Sequence, residues 1–179
     1  MVKLNRVQLL VLLFVTSTAI ASAVQTEKPT VLGIDNYTRV DASAGCGGTT
    51  STDAYPALKR EGYAAVINLR QADEPGVNIE QAKAAASASG LKYIHVPING
   101  RTPQAESVDA FLAAVKDPAN SPVYIHCATA NRVGAVWLVK RVLVDGWDVE
   151  KATAEAERIG LRSPQLKQFA LDYIASRKG

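Results

Sequence analysis

A chain of 179 residues, 47% apolar and 21% charged, is long enough to bury one full core and too short for two comfortable ones. Its formal charge of +3 at pH 7 is mild and comes with no basic block. That argues against a nucleic-acid partner and is compatible with small anionic ligands.

Residues 1–23 stand apart. Lys3 and Arg6 give a positive start, residues 9–15 are apolar, and Ala21-Ser22-Ala23 is a small-residue cleavage signal. This is the layout of a secretory signal peptide, and its apolar run is too short to span a membrane. The cleavage region has no cysteine, so no lipid anchor is expected. The expectation is a secreted or periplasmic mature protein with no membrane anchor: an extended N-terminal segment over 24–36, then a single domain over 37–179.

Residues 37–42 suggest a first strand, and Gly45-Cys46-Gly47-Gly48-Thr49-Thr50 reads as a flexible loop. Ser51 or Thr52 can cap a helix running to Arg60, stopped by Gly62. Residues 64–69 form a buried strand of small and branched apolar residues, followed by the polar loop 70–77. Asn78, with Gln81 three residues on, caps a helix closed by Gly90. Residues 91–96 are a strand, and Thr102-Pro103 signals a helix to about Lys116. Asp148 caps a helix ending near Gly160, and Ser163-Pro164 opens the last one. Strands alternating with helices predict an α/β fold, a mainly parallel central sheet with helices on both faces. In such sheets ligands sit beyond the C-terminal strand ends, which gathers the loops 45–50, 70–77, 97–102 and 127–132 on one rim.

The stretch Pro122-Val123-Tyr124-Ile125-His126-Cys127-Ala128-Thr129-Ala130-Asn131-Arg132 is a strand, an abrupt loop and the start of an apolar helix over 133–144. A strand-to-helix junction gathers backbone N–H groups at a helix N-terminus, where an oxyanion can be held. A cysteine opening such a loop, with an arginine closing it, is placed for nucleophilic catalysis: helix dipole and guanidinium both favour a thiolate. Taken singly, Cys127 reads as a small buried hydrophobe and Arg132 as a solvated first-turn residue. Their conjunction with His126 points to a site. The chain's two cysteines, Cys46 and Cys127, leave a structural disulfide, a reversible protective one and two free thiols all open. Lys140 and Arg141 suit a helix C-terminus, and Trp137 reads as core. Arg70 reads equally as a rim anion contact or a surface residue.

At His126-Cys127-Ala128-Thr129-Ala130-Asn131-Arg132 the chain resembles the cysteine-dependent tyrosine and dual-specificity phosphatases. Gly47-Gly48, Val66-Ile67-Asn68-Leu69-Arg70, His95-Val96-Pro97-Ile98 and Arg132-Val133-Gly134-Ala135-Val136-Trp137 extend the likeness. Together they are similar to a bacterial branch: the phosphatase-like domain of beta-lactamase-hydrolase-like proteins, and dual-specificity domains fused to NAD-kinase-like ones. The resemblance implies a phosphatase-like fold with the active-site loop between the last strand and the following helix. It implies that Cys127 attacks phosphorus to give a cysteinyl-phosphate, that Arg132 and the amides of Ala128, Thr129, Ala130 and Asn131 hold the oxygens, and that His126 supports the loop by hydrogen bonding. It implies no cofactor. No metal is called for, since His95 and His126, the two histidines, are not spaced as ligands.

The chain departs from that pattern in places. The cysteine–arginine spacing of four is one residue fewer than in tyrosine phosphatases and equals that of rhodanese-type sulfurtransferases. Ala130 stands where a loop glycine is usual, so Asn131 is expected to take any positive φ. Val133 stands where a hydroxyl residue commonly follows the arginine, and Thr129 is a candidate to replace its contact to sulfur. The loop after residue 97 has no carboxylate, leaving Asp73, Glu74 and Glu106 as general-acid candidates, each also readable as a solvated side chain. Besides the phosphatase, a sulfurtransferase using a Cys127 persulfide and a non-catalytic anion-binding module remain open. The expected partner is a phosphorylated substrate or a small oxyanion.

Overall fold

The computed structural model describes residues 33–178. The signal-peptide reading of 1–23, and most of the 24–36 segment, lie outside the described residues. Five strands make one sheet in the order β1-β2-β5-β3-β4: β1 (Thr38–Arg39), β2 (Ala44–Gly47), β3 (Ala65–Asn68), β4 (Lys92–His95) and β5 (Val123–His126). The last four in that order run parallel, and the short β1 runs against β2 at the edge. Among the described residues six α-helices flank them: α1 (Tyr55–Arg60), α2 (Ile79–Ala88), α3 (Ala105–Lys116), α4 (Asn131–Leu143), α5 (Val149–Ile159) and α6 (Pro164–Lys178).

The mainly parallel α/β sheet with helices on both faces is the one the alternation predicts. Strand periodicity divides the core. Val123 and Ile125 of β5 pack with α3 to α6, whereas Tyr124 packs with Tyr55 and Leu58 of α1, Tyr63, and Ala82 and Ala86 of α2. Ten of the thirteen residues of α4 are buried, so this helix is enclosed by the sheet on one side and α5 and α6 on the other. Gly134 permits that enclosure: a Cβ there would lie 2.7 Å from the Ala156 carbonyl oxygen.

Several expectations need correcting. Of the flexible loop expected over 45–50, residues 45–47 instead belong to β2, buried throughout and paired with β5. Its glycines serve close approach rather than freedom: a Cβ on Gly45 would sit 1.9 Å from the Tyr63 hydroxyl, and one on Gly47 2.1 Å from that of Tyr124. The strand expected over 37–42 shrinks to β1, because the Asp41 carboxylate accepts from Ser43 N (2.7 Å) and Ala44 N (3.1 Å) and turns the chain into β2. Helix α3 starts at Ala105 rather than at Thr102-Pro103; Asn99 Oδ1 takes the N–H groups of Arg101 (2.9 Å) and Thr102 (3.0 Å), holding them in a turn. Residues 33–36 belong with the domain. Ile34 is buried and bridges to Thr50, and Gly48 N donates to Asp35 O at 2.7 Å. The caps at Asn78 and Asp148 form as expected, each side chain accepting from the third residue on.

Candidate active site

Strand β5 lies between β2 and β3, so the loops leaving all three converge at its C-terminal end. Cys127 is the first residue past β5, 1% exposed, its N–H donating to Gly47 O at 3.3 Å. The loop then rides over the end of β2. Thr49 donates to the Ala128 carbonyl from its backbone N–H (2.9 Å) and its hydroxyl (3.0 Å), and Gly48 leaves room for that carbonyl. Ala130, not Asn131, takes the left-handed conformation, with φ 64° and ψ 3°. An alanine there costs about 1–2 kcal/mol. The position is nonetheless determined by packing: Ala130 is fully buried against Gly160, where a Cβ would come within 2.8 Å of its own. Asn131 instead begins α4 and turns its Oδ1 to the N–H groups of Arg162 (3.0 Å) and Ser163 (3.1 Å), tying the loop to the α5–α6 connection.

Two features suit this loop to hold an anion. Among the described residues, the N–H groups of Ala128, Thr129 and Ala130 donate to no protein acceptor, and α4 opens without a side-chain cap. Arg132, one turn below, is 8% exposed and held from three sides. Its Nη1 donates to Ile98 O (3.0 Å), Leu69 O (3.3 Å) and Glu74 Oε1 (2.5 Å), and its Nη2 to Glu74 Oε2 (2.9 Å). Burial opposes its charge, but the Glu74 carboxylate and the neighbouring Cys127 side chain outweigh that and hold its pKa above the ordinary value.

Glu74 receives a different place from the one expected of a general acid. It accepts from Arg132, from Gln71 N (2.7 Å) and from Arg70 Nε (3.2 Å). Although burial acts against ionisation, these donors bring its pKa down to about 2. A carboxylate so held is ionised at neutral pH and has no proton to give. Asp73 and Glu106 are exposed and do not line the cleft beside Arg132. Arg70 is no free surface residue either: its Nη2 donates to Pro75 O at 2.6 Å, and its own carbonyl oxygen meets His95 Nε2 at 2.8 Å.

His126 lies under the loop, 4% exposed and stacked on Tyr124 with 6.0 Å between centroids. Neither ring nitrogen has a hydrogen-bond partner of good geometry, so the expected loop-supporting hydrogen bond is replaced by packing. Burial, only partly opposed by the Cys127 backbone, pushes its pKa down to about 4, and the ring is neutral. Cys46 and Cys127 are both free thiols. Cys46 pairs in register with Ile125, which puts Cys127 one strand over and two residues on. That corresponds to a Cα separation of about 8 Å, beyond the roughly 7 Å a disulfide can bridge. Burial raises the Cys46 thiol far above its usual range, so it is inert in this arrangement.

Beside the loop opens a cleft of about 670 Å³, lined by Arg132, Glu74, Thr129 and Asn131 and by residues of the 97–102 loop and the start of α6. The structure brings Cys127, Arg132 and the loop between them, singled out from the sequence, to one end of β5. Sequence reasoning missed the Glu74–Arg132 pair, for which the only linear signal is a carboxylate shortly after β3, and it missed the α6 contribution altogether.

Known proteins share the sequence pattern and the fold. The beta-lactamase hydrolase-like protein of Xylella fastidiosa strain 9a5c is 28% identical over 140 residues, covering 68% of this chain and 32% of its own length. Its counterpart in Agrobacterium fabrum is 27% identical over 144 residues, covering 68% and 33%. The chain thus spans about a third of the length of the curated relatives it matches. Among solved structures, the core catalytic domain of the PP-IP phosphatase SIW14 from S. cerevisiae, in complex with citrate, superposes with a TM-score of 0.66 at 20% identity, covering 83% of this chain and 96% of that one. TpbA of P. aeruginosa superposes with a TM-score of 0.62 at 18% identity, covering 83% and 88%, and has also been solved in complex with pTyr. Residues 27–171 match the model of the DSP-PTPase phosphatases fused to NAD+ kinase, and the chain belongs to that family.

Proposed function

We propose that this phosphatase hydrolyses phosphate monoesters through a cysteinyl-phosphate at Cys127, and that it works outside the cytoplasm. The observation that carries the mechanism is the set of unsatisfied N–H groups at 128–130 facing the same loop as the Arg132 guanidinium. A phosphoryl group has three equatorial oxygens to be held, and oriented amides with a bidentate guanidinium supply donors of that kind without reorganisation. The Cys127 thiolate attacks phosphorus, the ester oxygen leaves, and water cleaves the S–P bond to return the thiolate and release phosphate. Glu74 is a positioning residue here: it fixes the plane of the guanidinium and leaves the thiolate as the nucleophile. The extracytoplasmic assignment rests on the layout of residues 1–23 alone.

The test is p-nitrophenyl phosphate turnover by the reduced protein beside Cys127→Ser. Turnover that disappears in the variant, together with a trapped phosphoryl-cysteine after rapid acid quench, supports the thiolate route. A folded protein with free thiols and no turnover removes it. Persulfide formation from thiosulfate is then the experiment for the sulfurtransferase reading that the four-residue spacing suggests. N-terminal sequencing of protein recovered from the export compartment tests cleavage after Ala23.

A further inference from the structure

The cleft beside Arg132 is far larger than a phosphate, so its walls choose what carries the phosphoryl group. Those walls are polar. Of the lining side chains only Leu166 is apolar, and none is aromatic. The amide groups are half committed. Asn99 Oδ1 takes the N–H groups of Arg101 and Thr102, and Asn131 Oδ1 those of Arg162 and Ser163, which leaves both side-chain NH₂ groups as donors. Gln165 Nε2 donates to Arg101 O at 2.6 Å, leaving its Oε1 as an acceptor. Donors and acceptors mixed on one rim match hydroxyl groups, which do both; a phenyl ring would leave them unpaired.

The leaving group is constrained separately. Among the described residues, Glu74 is the one carboxylate lining this cleft, and it is ionised against Arg132. Expelling an alkoxide unaided forfeits roughly 10²–10⁴ in rate. A leaving group that is stable as an anion does not need the proton. Aryl oxides are of that kind, but the walls do not suit them. Phosphate is the other kind. A second cation is also in place: Gly100 lies against the Arg132 side chain, with a Cβ there 3.9 Å from Arg132 Cδ, and the next residue, Arg101, is exposed on the rim without an ion pair among the described residues.

We propose that the preferred substrate is a phosphoanhydride: a small hydroxyl-bearing molecule ending in a diphosphate, from which the outer phosphate is removed. This rests on the cysteinyl-phosphate reading above. Cys127 Sγ bonds to the outer phosphorus while the bridging P–O bond breaks, and the remaining monophosphate departs as its anion next to Arg101. Water then attacks the S–P bond, releasing phosphate and one proton and restoring the thiolate. The net reaction consumes only water.

The experiment compares kcat/KM on matched pairs, uridine diphosphate against uridine monophosphate and methyl diphosphate against methyl phosphate, with p-nitrophenyl phosphate and a phosphotyrosine peptide alongside. The diphosphate is expected to exceed its monophosphate by roughly 10²-fold or more and to exceed the peptide. Arg101→Ala is expected to lower the ratio of diphosphate to p-nitrophenyl phosphate turnover by about ten-fold, as loss of one charged hydrogen bond would. Pairs that agree within about three-fold, a peptide that is the better substrate, or an unchanged ratio in Arg101→Ala would overturn the proposal while p-nitrophenyl phosphate turnover leaves the thiolate mechanism standing. Loss of turnover on every substrate, p-nitrophenyl phosphate included, would instead sink the mechanism itself.

Discussion

Helix α4 carries an arginine near each end, and the two are held in opposite ways. Arg141 is enclosed by three carboxylates: Glu155 (2.6 Å), Asp41 (2.7 Å) and Asp145 (2.8 Å). Its guanidinium also lies over the Trp147 ring at 4.3 Å and the Trp137 ring at 4.9 Å. Lys140 joins Asp145 and Arg158 reaches Glu155 at 4.0 Å, so three cations meet three anions and the cluster is balanced. At the other end, Arg132 and Arg70 share the single carboxylate of Glu74, and two cations meet one anion. That excess positive charge sits at a helix N-terminus with unpaired amides, where the macrodipole adds to it. The arginine at the far end of the helix is fully neutralised by the protein; the one at the candidate site is left under-neutralised. Both are buried, so burial alone does not tell them apart.

The sharpest way to break the comparison is Arg141→Met. Glu155, 7% exposed, would lose its buried cation and keep only the exposed Arg158 at 4.0 Å, and such a loss costs up to about 3–5 kcal/mol. Urea unfolding should show that loss, while the protein that remains folded keeps p-nitrophenyl phosphate turnover close to the parent's. Arg132→Lys should do the reverse. It keeps a charge but loses the fork that binds two oxygens, so kcat/KM should fall by about 10²–10³ with little change in the urea midpoint. Glu74→Gln tests how far the arginine depends on its carboxylate. Loss of a charge-assisted bond worth about 1.5–3 kcal/mol should lower kcat/KM roughly ten-fold or more, chiefly through KM.

The smallest effect concerns pH. His126 has its pKa lowered from 6.5 to about 4, chiefly by burial. The unfolded chain therefore takes up the proton first, and the contribution of neutral His126 is complete above pH 6.5 and lost as pH falls toward 4. Glu74, lowered from 4.5 to about 2, adds a second loss over the lower range for the same reason. Unfolding free energy measured from pH 7 to pH 4 should decline accordingly. The decline should flatten above pH 4.5 in His126→Gln.

Much of this protein is written in its local patterns. The alternation of Val123, Tyr124, Ile125 and His126, the caps at Asn78 and Asp148, and the apolar helix after Arg132 each depend on neighbours within a turn or a strand. They indicated the α/β class and the loop from Cys127 to Arg132 because strand period, helix period and capping are short-range. Other features depend on which segments meet. Gly45 and Gly47 read as loop residues because their reason, the hydroxyls of Tyr63 and Tyr124, is remote in the chain. Ala130 accepts a left-handed conformation because Gly160 packs on it. Glu74 turned from candidate acid to fixed anion only when the strand order set β3 beside β5 and brought Arg132 within reach. Protonation, backbone strain and charge balance are properties of contacts between distant residues, and only the tertiary structure decided those contacts.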